Sequence, residues 1–178
     1  MKVWTFLIEN GYEWLEPIKE MTFEESHSYD GRSKIKDWQP FAVRPVEQQL
    51  FGDFTNVMFT TIGVNKRAVE VLSDLIEGQV EFLPLIAADE EWYLLYTTNV
   101  VDAVDFSKSD VTFFPNSQRI MCIDKPVFFE KQLKGNHIFK IPQLKLSSLF
   151  VSDEFRQRVM EAGLMGIKFE LVWDSEAE

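Results

Sequence analysis

The sequence of 178 residues predicts an α+β protein with a mixed or antiparallel sheet and a few helices on one face. Many short apolar segments are rich in β-formers and are separated by glycine, proline or polar turns, which is typical of strands. Two segments have helical spacing, and each lies between two predicted strands. A hydrophobic fraction of 46% can supply the core of a single domain, residues 1–178.

The first fifty residues are predicted to begin with a strand and to continue irregularly. Residues 3–8 alternate like a strand, and Asn10-Gly11 marks a turn after it. Residues 12–18 are expected to return as the hairpin partner of this strand, confined to the sheet edge by Pro17. From 24 to 44 the periodicity fails, which predicts a long ordered loop pinned by aromatic side chains.

A strand–helix–strand segment is predicted next. Residues 54–64 are apolar and rich in β-formers, so they indicate a strand. Asn65 can cap the following helix by accepting a hydrogen bond from its first turn. Apolar residues then recur at helical spacing as far as Gly78, and Val80–Leu85 is the closing strand.

Short strands and polar turns fill the middle of the chain. Asp89-Glu-Glu91 is predicted to form an exposed turn before a strand at Trp92–Thr98. Further short strands are predicted at residues 119–123, 127–130 and 138–141.

A second strand–helix–strand segment closes the chain. Ser152 is a suitable N-cap, and two acidic residues follow it at the positive end of the predicted helix. Gly163 suits the residue that ends this helix, residues 167–172 follow as a strand, and the acidic tail 174–178 is expected to be frayed.

The two strand–helix–strand segments are predicted to be similar units. A constant offset of 87 residues relates Val64 to Val151 and Phe82 to Phe169. Any two segments of this type share much of the same apolar pattern, so a common origin by duplication stays open.

The net charge of the chain limits the classes of partner that it is expected to bind. It carries 18 basic and 29 acidic residues, for a net charge of −11. Nucleic acids and anionic membranes are polyanions and reward basic surfaces, so neither is an expected partner. A basic protein is a suitable one, although simple solubility also explains an acidic surface. A single cysteine and the lack of a long apolar run predict a cytoplasmic protein.

The sequence contains no common catalytic motif: no glycine-rich phosphate loop, no nucleophile elbow and no paired-histidine zinc motif. His27 lies in a polar stretch that is typical of a solvated loop, and His137 lies at a turn before a strand. Cys122 stands between two apolar residues and is predicted to be a small buried side chain. We therefore expect no catalytic, metal-binding or cofactor-binding residue, and no enzyme.

Carboxylates support one alternative. Asp102, Asp105 and Asp110 are the best acidic cluster, although strand ends and turns explain them more simply. A small hydrolase-like or ligand-binding domain would require Asp102, Asp105 and His137 to converge on one concave pocket.

Aromatic residues next to charge are the best candidates for partner binding. Tryptophan is common among the residues that dominate protein interfaces, and the chain has five. Two of them lie beside irregular or charged segments, so the candidate partner-binding residues are Trp38, Asp89, Glu90, Glu91 and Trp92.

The last third of the chain resembles a bacterial immunity-protein family of polymorphic toxin systems, first grouped as a domain of unknown function and named after a myxobacterial immunity protein. The sequence motifs on which the resemblance rests are Ile138-Phe-Lys-Ile141, Leu149-Phe-Val-Ser-Asp-Glu-Phe155 and Ala162-Gly-Leu-Met-Gly-Ile-Lys-Phe169. Earlier segments agree as well: Ala68-Val-Glu-Val-Leu72, Phe82-Leu-Pro-Leu85 and the stretch from Tyr93 to Ser109.

The likeness covers about residues 58 to 173. The domain is accordingly divided into a poorly matched part, 1–53, a family-like region, 54–173, and the tail. The resemblance implies a cytoplasmic, non-catalytic protein that binds and neutralises a cognate toxin. It transfers no functional residue, because the matching positions are those that determine the fold.

Overall fold

The computed structural model describes residues 1–20, 31–46, 49–58, 61–88, 90–144 and 149–177. His27, Asp89 and Glu178 lie outside the described residues, as does most of the polar stretch around His27.

Strands outnumber helices in the described part of the chain. The strands are β1 Lys2–Ile8, β2 Leu15–Pro17, β3 Val43–Pro45, β4 Phe54–Met58, β5 Thr61–Asn65, β6 Val80–Pro84, β7 Trp92–Thr97, β8 Asp110–Phe113, β9 Ile120–Lys125, β10 Ile138–Phe139, β11 Phe150–Ser152 and β12 Ile167–Asp174. The α-helices are α1 Lys66–Leu72, α2 Glu130–Leu133 and α3 Asp153–Glu161.

The described strands form two antiparallel four-stranded sheets and two short ribbons. The first sheet has the order β10-β11-β1-β12 and the second the order β4-β5-β7-β6, while β2 pairs with β3 and β8 with β9. Mainly antiparallel sheets with three short helices confirm the α+β class. The structure differs from the expected architecture because the strands are divided between two sheets rather than placed in one.

Two local predictions are corrected. The stretch 54–64 is a hairpin of β4 and β5, with Phe54 opposite Val64, rather than one strand. Residues 15–17 pair with β3 and not with β1, whose neighbours are β11 and β12. In both cases the apolar composition indicated β-structure, but it could not indicate the pairing partner, which depends on contacts distant in sequence.

Helices α1 and α3 pack together in the main core, where side chains from both sheets meet them. Phe6 of β1 stacks on Phe155 of α3 at 6.1 Å between ring centroids and meets Phe54 of β4 edge-on at 6.2 Å. Ala68 and Leu72 of α1 are fully buried in the same cluster. The helices therefore join the two sheets by burying apolar surface from each.

Each sheet also has a second core on its other face. On the first sheet, Phe139, Phe150 and Trp173 surround Phe128 with ring centroids 5.4–6.0 Å apart. On the second sheet, Leu83 and Leu94 are covered by Leu15 and Val43 from the β2–β3 ribbon. Both sheets thus have apolar layers on both faces.

The predicted helix caps are present. The Asn65 side chain accepts a hydrogen bond from Ala68 N at 3.0 Å, and the Ser152 hydroxyl accepts one from Phe155 N at 3.1 Å.

The tail that was expected to fray is hydrogen-bonded to the start of the chain, because Ser175 N donates to Met1 O at 3.0 Å.

Candidate partner-binding surface

The predicted partner-binding residues occupy different environments. Glu90 and Glu91 are exposed, and Asp89 lies outside the described residues. Trp38 is half-buried, and its indole N–H donates to Pro84 O at 2.8 Å. Trp92 is 5% exposed, so the expectation that it faces a partner is corrected: its indole is part of the core behind the second sheet.

Glu90 and Glu91 line an open groove of about 740 Å³, which we call the acidic groove. Its other walls are the loop before β4, the first turn of α1, the turn after β6 and Met165. The lining residues are Phe51, Asp53, Asn65, Lys66, Arg67, Glu70, Ala87, Ala88, Glu90, Glu91 and Met165. Trp38 does not line this groove.

Asp53 anchors the floor of the acidic groove. It is 3% exposed, and its carboxylate accepts three hydrogen bonds: from Asn65 Nδ2 at 3.1 Å, Arg67 Nη1 at 2.9 Å and Met165 N at 2.9 Å. A buried carboxylate requires such donors, because burial without them is costly. Asp53 therefore connects the start of α1, and Met165 far along the chain, to the segment before β4.

Arg67 extends this anchor to the end of α3. Its Nη2 donates to Ala162 O at 2.6 Å, while its Nη1 holds Asp53. Carbonyl groups at a helix C-terminus lack partners within the helix and attract cations. One guanidinium thus satisfies both a buried carboxylate and a helix end, and it links the groove wall to α3.

Glu91 belongs to an exposed polar trio at the rim. Its carboxylate accepts from Lys66 Nζ at 3.2 Å and from the Tyr93 hydroxyl at 3.0 Å. These two hydrogen bonds, that from Lys66 first, lower the pKa of Glu91 below its ordinary value. The hydrogen bond to Glu91 raises the pKa of Lys66, and partial burial followed by the bond to Glu91 raises that of Tyr93.

The unpaired charge of the groove is negative. Within the described part of the chain, Glu70 and Glu90 form no hydrogen bond or salt bridge through their side chains, whereas the two cations of the groove are paired with Asp53 and Glu91. Phe51 and Met165 add exposed apolar surface, and Phe51 rests edge-on against Trp92 at 6.0 Å. The exposed aromatic residue of the groove is therefore Phe51, and the buried Trp92 packs against it.

A second exposed surface lies on the outer side of the β2–β3 ribbon. Leu15 pairs with Pro45 and Glu16 with Arg44, and Val46 N donates to Trp14 O at 2.9 Å. Side chains of a strand alternate between its faces. Leu15 and Val43 point into the core, so their neighbours point outward.

These outward residues, joined by one more, form what we call the ribbon face. Ile86 is bridged to Ala42 in parallel register, so its side chain lies on the same side. The ribbon face consists of Trp14, Glu16, Ile18, Ala42, Arg44, Val46 and Ile86. Trp14, Ile18, Val46 and Ile86 are all exposed, and a Glu16–Arg44 salt bridge of 2.8 Å lies between the apolar pairs.

Sequence reasoning did not single out Trp14, although at 50% it is the most exposed of the five tryptophans. The available signal was the alternation of Trp14, Glu16 and Ile18 with buried Leu15. That alternation was attributed to a strand paired with β1. Ile86 runs directly into Ala87 and Ala88, so the ribbon face borders the acidic groove.

The alternative site does not assemble. His137 lines a separate cavity of about 550 Å³, and its Nδ1 lies 3.0 Å from the Ser152 hydroxyl. Asp102 and Asp105 do not line this cavity. Asp102 instead accepts from Gln143 Nε2 at 3.3 Å, and Asp105 accepts from the backbone N and hydroxyl of Ser107, as expected of a turn.

The described residues contain no group of three His, Cys, Asp or Glu side chains that could hold a metal ion. Cys122 is half-buried rather than buried, and its Sγ lies 3.5 Å from Asp124 Oδ1. In the same part of the chain, no helix has the length and apolar character needed to span a membrane.

The geometry defines an α+β domain whose exposed apolar residues and unpaired carboxylates lie on adjoining surfaces. The family model described as "Immunity protein family (Imm11)" matches residues 7–174. The chain therefore belongs to the Imm11 immunity protein family, which confirms the resemblance found in its sequence. The match begins at Leu7 and so includes most of the N-terminal region, in which no family motif was recognised. No curated protein matches the sequence.

Proposed function

We propose that this protein binds a cognate toxin of a polymorphic toxin system and neutralises it by direct contact. Membership of the immunity family, over residues 7–174, is the observation that carries the proposal. The protein acts in the bacterial cytoplasm as a stoichiometric binder and not as an enzyme.

The toxin contacts the acidic groove and the ribbon face together. Both present exposed apolar residues on elements that are fixed by contacts within the protein, the Asp53 hydrogen bonds in one case and strand pairing in the other. Preformed surfaces lose less conformational entropy on binding. Trp14 is the main apolar anchor, since it is half-exposed and tryptophan is enriched among the few residues that dominate binding energy.

Charge determines how the toxin approaches. The net charge of −11 and the unpaired Glu70 and Glu90 attract a basic toxin surface. Such attraction mainly accelerates encounter, and the buried apolar contacts then set the lifetime of the complex. A basic toxin domain, such as one that acts on nucleic acid, has the complementary charge.

The two strand–helix–strand segments provide the scaffold for this surface. In the second sheet β5 and β6 flank β7, and in the first β11 and β12 flank β1, so each helix connects strands that are separated by one antiparallel strand. We regard the segments as similar units on this basis. Their helices hold the sheets together and leave partner choice to the loops and the ribbon.

The proposal is tested first by growth. Candidate toxin domains encoded in the same genome are expressed in a sensitive host, with and without this protein. Rescue of growth from one toxin, together with a complex of the two purified proteins in size-exclusion chromatography, is the expected result. If the protein rescues growth from none of them and co-elutes with none, the proposed function is wrong.

The contact surface is tested separately with the toxin that is neutralised. Trp14→Ala should weaken binding by about 2 kcal/mol, or roughly 30-fold in Kd. Phe113→Ala is a matched control, because Phe113 is 51% exposed on the β8–β9 ribbon. Equal affinities of the two variants would refute the assigned surface while leaving neutralisation itself intact.

A further inference from the structure

The last strand of the chain has an open edge. β12 lies at the end of the first sheet, and among the strands that the structure describes it pairs only with β1. Among the described residues, no backbone group forms a hydrogen bond to its outer side along Ile167–Leu171. An edge of this kind is a template for another strand, and proteins usually shorten, cover or charge it.

The direction of the open hydrogen-bonding groups follows from the pairing with β1. Glu9 N donates to Gly166 O at 2.8 Å, and Ile8 is the next residue, opposite Ile167. Hydrogen-bonded and non-hydrogen-bonded pairs alternate in an antiparallel ladder. The amide and carbonyl groups of Ile167, Phe169 and Leu171 therefore point away from β1.

The side chains between these residues carry opposite charges. Lys168 and Glu170 are exposed and lie on the same face of β12, opposite to the face on which Phe169 packs against the helices. Neither charge has an ion-pair partner in the part of the chain that the structure describes. Leu171, half-exposed, adds apolar surface to the edge.

We propose that β12 pairs antiparallel with β12 of a second copy of this chain, about a two-fold axis at Phe169. Ile167 then lies opposite Leu171, and the outward amides and carbonyls of both copies meet each other. Lys168 of each copy lies opposite Glu170 of the other, in non-hydrogen-bonded pairs whose Cα atoms are only about 4.5 Å apart. Two intermolecular ion pairs result from the symmetry.

Neighbouring registers are less favourable. Pairing centred on Glu170 places this carboxylate opposite its own copy, and like charges directly opposite each other are destabilising. Pairing centred on Leu171 extends the contact into the irregular register near Val3 and Trp4, and leaves Glu170 without a cation opposite it. The charge pattern of the strand thus complements itself in one register, which is the reason for assigning a second copy of the chain as the occupant.

The dimer is tested by sedimentation velocity over a concentration series up to about 1 mM, where weak association becomes populated. Wild type should change from monomer to dimer across the series. Glu170→Lys and Lys168→Glu each place like charges opposite each other and should abolish the dimer. The double variant Lys168→Glu, Glu170→Lys restores opposite charges and should restore it.

The controls separate a specific edge contact from a general effect of net charge. Glu77→Lys makes the same charge change as Glu170→Lys at an exposed residue outside β12 and should leave the dimer unchanged. Amide exchange at Ile167, Phe169 and Leu171 should slow as concentration rises, because these are the groups that the partner covers. A wild type that stays monomeric throughout, or a dimer that survives both single substitutions, overturns the proposal.

Discussion

Replacing the buried carboxylate at the floor of the acidic groove should destabilise the whole fold. Asp53→Asn keeps the shape of the side chain but removes its charge and one acceptor oxygen. The bonds from Arg67 Nη1 and Met165 N, both 2.9 Å, become bonds to a neutral amide oxygen. The new NH₂ group then faces Asn65 Nδ2, which is also a donor.

The cost can be worked from these contacts. Hydrogen bonds to charged groups contribute about 2 kcal/mol and neutral ones about 1 kcal/mol, and an unpaired buried donor costs about 1 kcal/mol. Each of the two weakened bonds therefore costs about 1 kcal/mol and the donor left without an acceptor costs about 1 kcal/mol, which together give about 3 kcal/mol. Arg67 is half-exposed and can be hydrated again, which keeps the loss below that of a fully buried pair. For a chain of this size the loss corresponds to a fall in Tm of roughly 6–12 °C.

Urea unfolding followed by tryptophan fluorescence measures this change. The midpoint should fall while the m-value stays the same, since the surface exposed on unfolding is unchanged. Asp74→Asn is the matched control: Asp74 also pairs with an arginine, Arg158 at 2.8 Å, but it is exposed. A loss below about 1 kcal/mol for Asp53→Asn, or equal losses for the two variants, would refute the role of burial in this reasoning.

Three further outcomes are expected. Gly166→Ala should cost at least about 3 kcal/mol in thermal unfolding, because the residue has φ +99° and a Cβ would lie 2.5 Å from Phe54 O. Gly163→Ala, with φ +62° and open space around it, should cost only about 1 kcal/mol. Similar losses for the two variants would contradict this reasoning. Because the pKa of Glu91 is lowered in the folded state, the charged side chain stabilises the fold fully above its ordinary pKa of 4.5, and this stabilisation is lost as pH falls through the folded-state pKa. The difference in urea midpoint between wild type and Glu91→Gln should therefore disappear in acid. A difference that stays constant with pH would refute this prediction. Glu90→Lys should slow toxin association in stopped-flow measurements with little effect on dissociation, and an unchanged association rate would exclude steering by the groove.

The elements that the sequence predicted well are those with local causes. Asn65 and Ser152 cap their helices because the cap depends on residues only three positions away. Gly163 occupies the left-handed region, as its place after α3 indicated.

The pairing of strands and the composition of the candidate surface could not be predicted as well from the sequence, because both depend on contacts between residues that are distant in sequence. Trp14 and Val46 meet across the β2–β3 ribbon, and Ile86 joins them from a third segment. Trp92 follows an acidic turn, which suggested exposure, but the alternation of β7 directs its indole into the core. Composition identified the aromatic and acidic residues of interest, and only the fold determines which of them are presented together.

Direct neutralisation is tested most closely by titrating the activity of a fixed amount of purified toxin with this protein. A stoichiometric binder should reduce the activity in proportion to the amount added and abolish it at a ratio of one protein to one toxin, with the complex recovered intact. Loss of activity at much lower ratios, or after the protein has been removed again, would instead indicate catalytic inactivation of the toxin and would contradict neutralisation by contact.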